Sequence, residues 1–117
     1  MTDRPTVAYK VVTADQMAAF ERDGSFAGAP VDLADGYIHL STAAQLTETV
    51  EKHFSGQQHL HVVAVDLGSF GATLKWEPSR GGQMFPHLYE PLLLETAIAY
   101  GPLERDHEGA VKLPVAG

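Results

Sequence analysis

In the stretch DGYIHLSTAAQ, residues 35–45, the residues Tyr37, His39 and Ser41 alternate with Ile38 and Leu40. Successive side chains of an extended strand point to opposite faces. Ile38 and Leu40 therefore belong to a core face, while a phenol ring, an imidazole and a hydroxyl share the other. Ser41 and Thr42 have the residue types of a helix N-cap, and the free N–H groups and dipole of a helix start favour an anion. An imidazole can donate to a phosphate, position a hydroxyl or accept a proton. The chemistry on offer is the binding of a phosphate, a carboxylate or a ribose. A plainer reading stands beside it: His39 donates to a backbone carbonyl, and Ser41 and Thr42 only cap.

A second polar cluster lies in KWEPSRGGQMFPHLY, residues 75–89. Arg80 could clamp a phosphate or carboxylate through two parallel bonds. Trp76 and Tyr89 offer flat faces for stacking. Glu77 could accept from ribose hydroxyls or act as a base, and His87 is a further polar ring. The Gly81-Gly82 pair permits close approach of a ligand or of another chain. The alternative is structural, with Trp76, Phe85, Leu88 and Tyr89 in the core and Glu77 paired with Arg80 at the surface. His59 and His61 could form an i, i+2 metal pair, but no third ligand is placed near them in sequence, so no metal site is expected. His53 suits a helix C-terminus, and His107 sits in a charged tail.

These residues need elements to hold them. Residues 7–12, VAYKVV, read as a first strand rich in β-branched residues. Thr13 and Gln16 have capping-box spacing, and a helix should run to Gly24, with Met17 and Phe20 on its apolar stripe. Residues 25–36 read as a loop, 37–41 as a strand, and the following segment as a second helix with Leu46, Val50 and Phe54 inward, closed by Gly56. Residues 60–67, LHVVAVDL, are apolar on both faces, as a central strand requires. A short strand at LKWE, an irregular segment at 78–91, a last strand at 92–100 and a peripheral polar tail from Gly101 complete the reading.

Totals narrow the function classes. The chain has 117 residues, which suits one domain, and 44% of them are hydrophobic. With no cysteine, disulfides and thiolate chemistry are excluded. Fifteen acids oppose eight bases, for a net charge of -7. Lys10, Arg22, Lys52, Lys75, Arg80 and Lys112 are scattered, so no basic stripe exists for a long nucleic acid. No apolar run is long enough to span a bilayer, and MTDRPTVAYK has no signal-like core, so a soluble, cytoplasmic protein is expected.

YKVV at 9–12, DGYIHLSTAAQ at 35–45, KWEPSRGGQMFPHLY at 75–89 and EPLLLETA at 90–97 together resemble a small bacterial family known as domain of unknown function 952. That resemblance implies a fold like the ADP-ribosyltransferases, which bind NAD across a split β-sheet. YIHLSTAAQLTETV followed by HVVAVDL is also distantly similar to the RNA 2′-phosphotransferases, which move a 2′-phosphate onto NAD. By that comparison His39 and Ser41 lie where ribose and phosphates bind, and Lys10 takes a position usually held by His or Arg. Glu77 and Glu95 are the candidates for the late-strand catalytic Glu of toxin-type transferases. Those phosphotransferases use several arginines, whereas this cleft could draw on Arg80 and Lys10 only, and they also carry an N-terminal RNA-binding domain.

The resulting expectation is one α+β domain with a split, mostly antiparallel sheet and two main helices. Its cleft would take a nucleotide or ADP-ribose-like anion. His39 and Glu77 are the candidate catalytic groups; Lys10, Tyr37, Ser41, Thr42, Trp76, Arg80, His87 and Tyr89 are the candidate ligand contacts. The residues themselves fix no cofactor, and NAD is the one that the resemblance implies. The reaction, if there is one, would be group transfer. The rival is a non-catalytic interaction module that uses the 80–89 loop. Oligomeric state is not readable from the chain.

Overall fold

The computed structural model describes residues 5–114, with Arg80 described by its backbone alone. The architecture is α+β, with three small sheets in which every pairing is antiparallel. Strand β1 (Val7–Thr13) and strand β4 (Leu60–Asp66) pair along their whole lengths, and β8 (Ala97–Pro102) flanks β4 on its other side. The apolar run of residues 60–67 is thus a central strand. Helix α1 (Ala14–Asp23) starts where the Thr13 hydroxyl accepts the Gln16 N–H at 3.1 Å and the Gln16 side chain accepts the Thr13 N–H at 2.9 Å. It stops at Gly24, whose φ of 75° is a left-handed cap.

Alternation along β1 divides the interior in two. Ala8 and Val12 face the main core with Met17 and Phe20 of α1, Ile38, Leu40, Val63, Val65 and Leu88. Tyr9 and Val11 face a second core, formed with Val62, Ala64 and the Leu46 and Val50 stripe of helix α3 (Ala43–His53). Phe54 caps α3 and packs against that core.

The second three-stranded sheet carries the polar residues: β3 (Ile38–His39), β6 (Met84–Leu88) and β5 (Leu74–Pro78), in the order β3-β6-β5. It meets the first sheet at one corner, where Tyr9 and Ser41 exchange backbone bonds of 2.7 and 2.9 Å.

Four expectations are corrected. The segment 25–36 is not a loop: it holds the two-residue strand β2 (Ser25–Phe26) and a third helix, α2 (Pro30–Asp35). The irregular segment 78–91 contains β6, the middle strand of its sheet. The last strand is broken into β7 (Leu92–Leu93), which pairs with β2, a 3₁₀ turn at Leu94–Thr96, and β8. The segment after Gly101 is not wholly peripheral, because Val111 is buried in the second core. No helix among the described residues is long and apolar enough to cross a membrane.

Candidate functional site

The β3-β6-β5 sheet has one apolar and one polar face, and register decides which residues share each. His39 lies opposite His87, and His87 lies opposite Lys75. Alternation then puts Tyr37, His39, His87, Tyr89, Lys75 and Glu77 on one side. Ile38, Leu40, Leu74, Trp76 and Leu88 go to the other, against the main core.

Tyr37 is the hub of the polar face. Its ring stacks on His87 with centroids 4.1 Å apart and planes 26° apart. It lies 4.6 Å from His39 and 5.2 Å from Tyr89, while the two histidine rings meet edge-on at 5.6 Å. Glu77 Oε1 accepts from the Tyr89 hydroxyl at 2.7 Å and lies 2.8 Å from His87 Nδ1, the nitrogen that carries the proton against a carboxylate. The Tyr89 bond, then the His87 bond, hold Glu77 below the usual carboxylate range. In return the Glu77 bond pushes the Tyr89 hydroxyl up to about 12. Burial, followed by the charges of Asp35, Glu77 and Asp32, raises Tyr37 above its ordinary value. Lys75 Nζ sits 5.1 Å over the Tyr89 ring, a cation–π contact.

On the β3 side, His39 Nδ1 lies 2.6 Å from Asp32 Oδ1 and Nε2 lies 2.9 Å from Asp35 Oδ2. With a carboxylate on each nitrogen, the doubly protonated ring is the form that donates to both. The Asp32 side chain is 0% exposed and saturated. It accepts from the His39 amide at 3.1 Å, from the Ala29 amide at 2.8 Å and from Lys10 Nζ at 2.8 and 3.1 Å. Burial alone would raise Asp32, but the His39 bond, the Lys10 charge and bond, and the Ala29 amide bring it down to about 2. Desolvation lowers Lys10 from its ordinary value against the pull of Asp32. Its third proton goes to the His39 carbonyl at 3.2 Å.

A cleft of about 210 Å³ opens beside these rings, lined by Tyr37, Tyr89, Asp32, Leu33, Glu90 and Pro91 among others. It is smaller than the usual pocket for a drug-sized molecule, about 300–1,000 Å³, and of the polar-face rings only Tyr37 and Tyr89 line it.

The structure therefore brings Tyr37, His39, Glu77, His87 and Tyr89 together. Lys10 is buried in the ion pair that carries α2. Ser41 and Thr42 are buried as well: the Ser41 hydroxyl bonds that of Thr49 at 2.8 Å, and the Thr42 N–H goes to Gln45 Oε1 at 3.0 Å. Trp76, expected beside Tyr89 as a stacking face for a ligand, packs against the main core on the opposite side of β5 instead. The Arg80 side chain lies outside what the structure describes. Asp32 and Asp35 were missed by reading 25–36 as a loop. The signal was present in Pro30 at a first helical position, Asp32 at the third, and Gly36 after the end. Among the described residues, no group of three or more potential ligands is arranged to hold a metal ion.

A family model covers residues 11–100, which include this site apart from Lys10. The chain belongs to DUF952, a family of proteins of unknown function. Solved structures of protein CC0527 from Caulobacter crescentus are 44% identical to this DUF952 chain. The crystal structure matches with a TM-score of 0.84 over 92% of this chain and 95% of that one. The solution structure matches at 0.78 over 92% and 91%. No match emerges among the curated proteins.

Proposed function

We propose that this DUF952 chain binds an ADP-ribose-like nucleotide, with NAD as the candidate cofactor, on the polar face of the β3-β6-β5 sheet. The observation that carries the reading is the convergence of His39, His87 and Tyr89 on the Tyr37 ring, with Glu77 held by His87 and Tyr89, beside a cleft that Tyr37 and Tyr89 line. In this assignment a base or nicotinamide stacks on Tyr37 or Tyr89, and Glu77 accepts from ribose hydroxyls. His39 is assigned to the diphosphate. Lys10, Ser41 and Thr42, all buried, support the site from behind. The split antiparallel sheet, joined at Tyr9 and Ser41, supports an ADP-ribosyltransferase-like fold. Group transfer is the matching reaction class, with ionised Glu77 or His39 as the acid–base group.

The interaction-module alternative needs an apolar patch on the 80–89 loop. Phe85 and Leu88 are buried instead, and only Met84 of the three is exposed. That weighs for the ligand reading.

The test is thermal unfolding with NAD, ADP-ribose and a 2′-phosphorylated nucleotide, on wild type, His39→Ala and Tyr37→Ala. Ligand at about 100 times its Kd adds about 2.7 kcal/mol, which raises the midpoint of a domain of this size by several degrees. The expected result is a rise in wild type that is lost in both variants. No rise with any of the three, or equal rises in all proteins, overturns the reading.

A further inference from the structure

The two nitrogens of His39 are held in different ways. Nδ1 is fixed, because its partner Asp32 is fully enclosed and also holds Lys10, the Ala29 amide and the His39 amide. Freeing Nδ1 would take one donor from a carboxylate that no water can reach. Nε2 is held only at the rim. The Asp35 side chain is 46% exposed and the His39 ring 30% exposed. Asp35 is the last residue of α2 and is followed by Gly36 at φ 88°. An exposed ion pair of this kind is weak and exchangeable, whereas a buried and saturated one is not.

We infer that Asp35 is a specificity-determining residue: its carboxylate occupies the outward nitrogen of His39 that a phosphate oxygen of the ligand takes on binding. The inference rests on the nucleotide reading above and deepens it. One negatively charged oxygen replaces another on the same nitrogen, so the ring keeps the orientation that Asp32 gives it. Asp35 thereby sets a threshold: a group that enters must itself be an anionic acceptor, which a phosphate oxygen is and a neutral hydroxyl is not. Asp32 acts through His39 as a positioning residue, aiming Nε2 outward.

The experiment titrates inorganic pyrophosphate, ADP-ribose and adenosine into protein labelled with ¹⁵N at histidine, following the His39 ring nitrogens. The proteins are wild type, Asp35→Ala and Asp35→Asn. Pyrophosphate and ADP-ribose should shift Nε2 and should bind Asp35→Ala about two- to fivefold more tightly, the span expected from losing one exposed ion pair. Asp35→Asn, which keeps an acceptor but no charge, should fall between it and wild type. Adenosine should behave the same in all three. Phosphate binding that is unchanged or weaker in Asp35→Ala overturns the inference. So does an equal gain in both variants, which would reflect lost charge alone, or an unmoved Nε2. If pyrophosphate behaves as expected and ADP-ribose binds none of the proteins, the inference holds and the nucleotide reading falls. If ADP-ribose binds all three equally, the reverse is true.

Discussion

A buried carboxylate persists only when its oxygens are saturated, and the two oxygens of Asp32 take bonds from β1, from the start of α2 and from β3. Lys10 could have been a surface cation available to a ligand; its place among Ala8 and Val12 on the inward side of β1 makes it the counter-charge of Asp32 instead. Removing one member of such a pair leaves the other buried and alone. Asp32→Ala is therefore expected to cost about 3–5 kcal/mol, a large share of the total stability of a small domain. Lys10→Met with Asp32→Leu should recover most of that loss, because no uncompensated charge then remains. Urea denaturation of both proteins checks this. A double variant as unstable as Asp32→Ala would contradict the charge argument, although its His39 would still lack a partner for Nδ1.

The elements that were legible in the sequence carry their own signals. Helices α1 and α3 each have an N-cap followed by Gln at the third position and an apolar stripe, and β1 and β4 are runs of β-branched residues. The ones that were harder to read lack a clear hydrophobic period for physical reasons, although α2 carries boundary signals in Pro30, Asp32 and Gly36. Strand β6 holds Pro86 in the middle of a sheet, where a missing N–H normally argues against a strand. Helix α2 has six residues, too few for a 3.6-residue period to show. Strand β3 has only two paired residues, yet its alternation put Tyr37 and His39 on the polar face and Ile38 and Leu40 in the core, whereas Ser41, expected beside them, is buried against Thr49. What could not be foreseen was that α2 reaches back to that strand through Asp32. The entry to α2 is tight. Gly28 has φ 130°, and a Cβ there would lie 2.8 Å from Asp32 Cβ. Gly28→Ala should thus cost more than about 1 kcal/mol and loosen α2. Gly71→Ala, at a position with open space and no positive φ, should change little. Urea midpoints and amide exchange of His39, whose N–H bonds Asp32, read both effects.

At the scale of the molecule, the same carboxylate gives the fold a distinct response to acid. Asp32 is held at about 2 in the folded protein, against about 3.9 for an aspartate in an unfolded chain. A group with a depressed folded value contributes stability that is fully present above the unfolded value and disappears as the pH falls through the folded one. The window is therefore about pH 4 down to about pH 2, and the contribution is of the order of 2 kcal/mol. Glu77, also held below its ordinary range, acts in the same direction. Lys10 adds no slope there, since a lysine is charged in both states so far below its own range. Acid also removes the negative charges that give the chain its formal -7, leaving the cations to repel one another. Thermal midpoints measured between pH 2 and 5 should fall steeply in wild type below pH 4. In the Lys10→Met, Asp32→Leu protein, the same scan should be flatter by roughly the Asp32 contribution. Parallel curves for the two proteins would mean that the acid response comes from the surface carboxylates and not from the buried charge that anchors the site.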